Sequence, residues 1–405
     1  MKQILHNTFS SLKVRNYRLY YSAQMISVSG TFLQAFAQDW LVLQLTGSGT
    51  LLGLVLACQF LPMLLLTSIG GLIADRYPKL KLLYITQTLS ALLALALGLL
   101  VISGNVQVWM VFAFALGLGL INSVDNPARS TFLFEMVGPE KIKNAVSLWT
   151  ILISATKIAG PAIAGVLIAT LGIGGCFVVN AISYIAVFVA LFMIRKDELH
   201  SIPPVPKSKK QIREGLKYVM STPVLFNSLM MMAIIGTITF EWQVSMPLFA
   251  KFILNGNAGT YAAITVALGV GMLIGGFANA SSSSVSQKRM VYSAFLFGIF
   301  VLIASLTSTF ILAIILFGLV GIFSMAFANL SSSILQVHTD SKMRGRVMSL
   351  WSMAFQGSTA IGGPLIGVVG EYAGARWALA VGGFAAIVAA VIGYVKLRRD
   401  HSKTP

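Results

Sequence analysis

Apolar residues fill this chain in long runs, each closed by a short turn of polar residues, glycine or proline, and the runs follow one another almost from end to end. A run of roughly 20 apolar residues is the length a helix needs to cross about 30 Å of hydrocarbon. The pattern predicts twelve such spans, at 19–45, 51–74, 80–103, 106–134, 144–171, 174–195, 224–253, 260–284, 289–307, 310–337, 345–370 and 376–397. In lipid every backbone N–H and C=O must be satisfied by the protein itself, which a helix does within its own segment and an open strand cannot. The expected fold class is therefore an all-α membrane protein of twelve transmembrane helices. Composition agrees: of 405 residues 57% are hydrophobic and 10% charged, too little polar surface for soluble domains of that size.

A formal net charge of +17 raises nucleic acid as a partner, and the placement of the 29 Lys and Arg residues removes the need for it. With the N-terminus inside, the inner segments carry 25 of them and the outer segments only Lys251 and Arg376. That asymmetry is the positive-inside pattern, and it places both termini and the loop after the sixth span in the cytoplasm. The opening "MKQILHNTFSSLKVRNYRLYY" has no apolar core ahead of a small-residue cleavage site, so the first span is expected to stay. Cys58 and Cys176 fall inside spans, where lone thiols pack as small apolar groups.

The longest polar interruption, residues 195–223, divides the spans six and six and sets the expected organisation: bundle 1–195, cytoplasmic linker 196–223, bundle 224–405. Within the linker, Ile212, Leu216 and Val219 recur at helical spacing, which predicts a short amphipathic helix on the inner membrane face. The halves also resemble each other. "VSLWTILISATKIAGPAIAG" from Val146 aligns with "MSLWSMAFQGSTAIGGPLIG" from Met348 at an offset of 202, pairing Trp149 with Trp351, Gly160 with Gly362 and Gly165 with Gly367. Two six-helix repeats imply a binding site near mid-membrane.

Polar residues inside apolar spans are the candidates for chemistry, because the bilayer makes them expensive. Asp125 and Arg129 can pair at i, i+4 near the end of the fourth span, roughly 28 Å along it. With Asp75, Arg76 and Lys79 of the loop after span 2 they form an expected inner gate, and Pro127 between them is expected to loosen the helix. Lys157 stands near the middle of span 5, where a cation binds acidic cargo, pairs with a carboxylate or titrates. Glu241 and Asp39, in the equivalent spans 7 and 1, are candidate proton carriers, with Asp125 a third. Gln34, Gln38, Trp149, Gln243, Trp351 and Gln356 are candidate cavity residues beside Lys157. Gly160, Pro161 and Gly165, with Gly362, Gly363, Pro364 and Gly367, are expected to serve close helix packing and bending.

The duplicated plan, "GGLIADRYPKLK" after span 2, "DNPARSTF" in span 4, "IAGPAIAG" in span 5 and "MRGRVMSLW" entering span 11 resemble the major facilitator superfamily over essentially the whole chain. Within it they are most similar to the drug and siderophore exporters, which include macrolide-efflux and enterobactin-export proteins. The resemblance implies two pseudo-symmetric bundles that rock to give alternating access, usually by proton antiport, in a bacterial inner membrane and as a functional monomer. It also implies that Asp75 docks against the start of helix 11, about 343–349; Pro78 and Lys79 stand where the family motif usually has Gly and a basic residue.

The expectation is a secondary transporter that exports a small amphipathic organic compound, such as a drug, macrolide or siderophore-like molecule. A lipid or lysolipid translocator and a transport-dead sensor or scaffold are the alternatives. The four histidines all lie in or beside inner segments, so no metal site within the membrane is expected, and there is no GxxxxGK[ST] phosphate loop to supply ATP-driven transport. No nucleophile and base constellation suggests an enzyme, and no cofactor is implied.

Overall fold

The computed structural model describes residues 9–200, 211–280, 285–341 and 343–401, and the regular elements among them are all helices. Three helices open the chain: α1 (Arg15–Thr46), α2 (Gly49–Arg76) and α3 (Lys79–Ile102). Residues 108–192 then run helically except at Gly138 and Gly172, whose φ values of 70° and 73° suit glycine alone and divide the stretch into α4 (108–137), α5 (139–171) and α6 (173–192). Helix α7 is broken, as α7a (Pro223–Ile238) and α7b (Trp242–Phe252). Then follow α8 (Ala258–Ala280), α9 (Gln287–Leu306), α10 (Phe310–His338), α11 and α12 (Ala375–His401). Helix α11 starts at Arg344–Ser352, passes through one π turn at Met353–Gly357 and continues as Thr359–Tyr372. The twelve predicted spans are all present as helices. The ends rich in Lys and Arg are called the basic end below, and the opposite ends the far end.

Helix α4 departs from expectation in a way that moves the site. The sequence predicts loosening at Pro127, but the helix continues through it and ends at Gly138. Proline at 127 removes the N–H that would bond the carbonyl of Ser123. Gly70 of α2 packs directly against that carbonyl, so closely that a Cβ at position 70 would collide with it. The freed oxygen is thus covered by a neighbouring backbone, in the manner that lets proline persist in membrane helices. This gives Gly70 of "GGLIADRYPKLK" a packing role.

Two compact units emerge: residues 1–41 with 58–206, and residues 42–57 with 207–405. The turn between α1 and α2, with the first two turns of α2, therefore belongs to the second unit. There Gly49 and Gly53 lie against the carbonyls of Gly367 and Gly363 of α11, with a Cβ at 49 only 2.8 Å from Gly367 O. Glu371, at the end of α11, accepts the Thr50 N–H at 2.9 Å and the Ser48 hydroxyl, placing a negative charge on the N-terminus of α2. Lys251 donates to Leu43 O at 2.7 Å, among the last carbonyls of α1. Arg376 donates to Ser305 O and Leu306 O, at 3.1 and 2.6 Å, where α9 ends. The two cations that the charge count assigns to the outer segments are thus both helix C-terminal caps, where the helix dipole favours positive charge.

The predicted linker helix forms at Gln211–Ser221 but is anchored to protein. Val219 is buried with Leu225, Leu229, Leu335 and Val347. Glu214 pairs with Arg346 at 2.8 Å, and Tyr218 donates to Asp340 at 3.2 Å. Helix and start of α11 thus form one piece, because the charges flanking the apolar positions find protein partners. Leu216 stays exposed. Linker residues 201–210 lie outside the described residues.

Candidate functional site

In the first unit the polar residues of α1, α3 and α4 converge on Asp125, which is 2% exposed. Its carboxylate accepts Thr86 Oγ1 at 2.6 Å, Gln87 Nε2 at 2.9 Å and Arg129 Nε at 3.1 Å. The guanidinium of Arg129 also donates to Gln24 Oε1 at 2.7 Å and lies 5.6 Å from the ring centre of Trp149. The geometry is that of a buried, fully hydrogen-bonded ion pair, which holds three helices in register.

The charges expected at the inner gate have different partners in the structure. Lys79, the first residue of α3, pairs with Glu135 at 3.4 Å, a partner the sequence reading did not single out. Glu135 stands ten residues beyond Asp125, so the two ion pairs lie about 15 Å apart along α4. Asp125 is not at the end of its helix, because the polar stretch 126–137 is helical too. Asp75 and Arg76 are exposed at the end of α2, and Asp75 has a polar partner of its own. Lys79 and the Asp125–Arg129 pair thus belong to separate ion pairs. The candidate cavity residues Gln34 and Gln38 are likewise buried, Gln34 accepting from Asn180 at 2.6 Å and Gln38 donating to Gln59 at 3.0 Å. Asp39 is buried and partnered.

The second unit holds Glu241 in the break between α7a and α7b. It is 2% exposed and has no ion-pair partner among the described residues, and the polar side chain beside its carboxylate is the hydroxyl of Thr359. The carboxylate rests on Gly362, where a Cβ would come within 2.6 Å of Oε1 and would strike Thr237 O. One turn toward the basic end, Gly236 packs on Ala354 O within the π turn of α11. Irregular backbone on both helices thus meets at the acid, and such interruptions recur at functional positions. An aromatic cluster surrounds it: Phe240 contacts Phe297 and Phe355 at centroid distances of 5.5 and 5.3 Å, and Trp242 contacts Phe297 at 6.0 Å. Trp351 stacks on Phe355 at 5.0 Å and donates to Ser331 Oγ at 3.2 Å, which makes it a packing residue. Gln243 is half-buried and Gln356 exposed.

Gly160 lets α5 approach Phe32 of α1, with a Cβ there 2.5 Å from the Phe32 Cβ, and Pro161 beside it is buried. Gly362, Gly363 and Gly367 form the equivalent stripe of α11, against Thr237, Gly53 and Gly49. Lys157, by contrast, is exposed, with no ion pair or hydrogen bond among the described residues. No group of three or more potential metal-ligating side chains occurs among the described residues.

Residues 6–404 match the family model described as transmembrane secretion effector. The chain is 25% identical over 397 residues to the staphyloferrin A transporter of Staphylococcus aureus, covering 95% of this chain and 98% of that one. It is 26% identical to the multidrug efflux pump Tap of Mycolicibacterium fortuitum, covering 87% and 88%, and 23% identical to the enterobactin exporter EntS of Shigella flexneri, covering 96% and 94%. Among solved structures, a bacterial homologue of the lysosomal transporter Spinster, inward-facing and occupied, superposes with a TM-score of 0.72 at 13% identity, covering 95% and 97%. A bacterial homologue of the iron transporter ferroportin, inward-facing, gives 0.69 at 17%, covering 94% and 98%.

Proposed function

Because the chain belongs to the transmembrane secretion effectors of the major facilitator superfamily, we propose that it exports a small amphipathic organic compound by alternating access, with proton antiport. The observation that carries the coupling is Glu241, a buried acid without a countercharge among the described residues, at the broken segment of α7. Charge buried without a countercharge is costly, and a proton taken up by the carboxylate removes that cost. Asp125 has donors on every side and Asp39 is partnered, so neither has the same need. The family to which the chain belongs transports rather than catalyses, and we assign the chain no enzymatic step.

The protein acts as a monomer in the bacterial cytoplasmic membrane, with both termini and the linker on the cytoplasmic side. In proteoliposomes, an imposed proton gradient is expected to drive accumulation of an amphipathic dye and to be dissipated by it; dye movement indifferent to the gradient would remove the antiport mechanism. Topology has its own check. A cysteine at Asn257 is expected to react with an impermeant maleimide in intact cells and one at Ser208 only after permeabilisation, and the reverse would invert the orientation.

A further inference from the structure

The exposure pattern along α5 separates two faces. Ile151, Ala155, Ala162 and Val166 share one side of the helix and are exposed along it, which is the apolar face expected against lipid. On the opposite side, Val146, Thr150 and Lys157 are exposed, Pro161 and Ala164, the next positions on that side, are buried, and exposure returns only at Leu171, where α5 ends. Lys157 is thus the last exposed residue on that face before its closed middle stretch. Helix α11 repeats the pattern, with Ser349, Ser352 and Gln356 exposed and Gly363 and Ile366 buried.

The chemistry of Lys157 follows from that position. It stands 18 residues past Pro139, about 27 Å along α5, and its four-carbon stem cannot carry the ammonium across half a bilayer of about 15 Å to the headgroups. A mid-membrane cation without a partner is stable only where the surface is wet, so this face of α5 lines water and not hydrocarbon. The repeat counterpart of Lys157 at an offset of 202 is Thr359, so the charge is no requirement of the shared helix packing. Gln34, Gln38, Arg129 and Asp125 spend their hydrogen bonds on one another or on neighbouring helices. Lys157 keeps its ammonium for something that enters.

We propose that Lys157 binds an anionic group of the cargo, so that the compound carried is an organic acid bearing a carboxylate. This deepens the export reading and rests on it. The ammonium donates to the carboxylate oxygen on the wet face of α5, while Thr150, two turns nearer the basic end, stays free for a neutral part of the molecule.

The test uses two xanthene dyes of similar shape and opposite charge, anionic carboxyfluorescein and cationic rhodamine 6G. Binding to the full-length protein in neutral detergent is read by fluorescence anisotropy, and export is read in proteoliposomes. The unsubstituted protein is expected to prefer the anion. Lys157→Met should weaken anion binding by about ten- to a hundredfold, the range for one charge-assisted hydrogen bond, and leave the cation unaffected. Lys157→Arg should restore it, and an unchanged melting profile excludes misfolding. Equal affinity for both dyes, or anion binding by Lys157→Met at the original strength, would overturn the proposal. Displacement of the bound anion by equimolar phosphatidylglycerol would also overturn it, assigning the ammonium to lipid headgroups. Selective binding that depends on Lys157, with no dye movement in proteoliposomes, would leave the site standing and remove export.

Discussion

Glu241→Gln is expected to lower proton-driven export by about a hundredfold or more, the scale on which a lost proton-transfer group acts, while cargo binding stays within about twofold. Glutamine has the shape of glutamate and fits the same space beside Gly362 and Gly363, so the aromatic cluster of Phe240, Trp242, Phe297 and Phe355 needs no repacking. What changes is that the side chain no longer gains and loses a proton as access alternates. Counterflow exchange at equal pH on both sides should therefore outlast gradient-driven transport, and the ratio of the two rates is the measurement. Full gradient-driven export by Glu241→Gln would exclude it as the carrier, and Asp39 would be the next acid to neutralise.

Arg129→Met is expected to destabilise the protein by about 3–5 kcal/mol, because it strands the carboxylate of Asp125 in the interior of the first unit. Thr86 and Gln87 still donate to that carboxylate, but neither supplies a countercharge. The double variant Asp125→Leu/Arg129→Met removes both charges and should recover most of the loss, as apolar replacement of a buried pair commonly does. Thermal unfolding in detergent measures both. Had the pair been a gate at the membrane surface, the single variant would have shifted the balance of open and closed states with little loss of stability. A melting temperature unchanged by Arg129→Met would return the pair to that role.

The contrast shows which features a sequence exposes. Helix positions are legible because the bilayer dictates their length and forbids unpaired backbone, and an acid such as Glu241 is conspicuous against apolar neighbours. The environment of each charge is not legible in the same way. Asp125 and Glu241 look alike as letters, yet one accepts from Thr86, Gln87 and the countercharge of Arg129 and the other has no countercharge among the described residues. Thr86 and Gln87 carry no mark of their purpose, since threonine and glutamine are common wherever helices touch. Apolar runs also understate helix length: α4 continues to residue 137, three residues beyond the predicted limit and through its most polar stretch. Glu371 escaped notice because an acid at the edge of a span reads as solvated, and only the approach of Ser48 and Thr50 reveals its task. The helix break at Thr239–Glu241 has no proline or glycine to announce it.

The membership of residues 42–57 in the second unit bears on how the chain can be divided. A gene cut in the linker separates the first six helices from the last six, and the natural expectation is two fragments that each fold alone. The later fragment would be made without the strip of α2 that covers Gly363 and Gly367, without the N–H that Glu371 accepts and without the carbonyl that Lys251 caps. It would present a bare glycine face and two idle charges to the membrane until the earlier fragment arrived. The second half is for this reason expected to fold poorly without the first hairpin, and co-expression, not sequential mixing, is the expected route by which a split chain becomes whole.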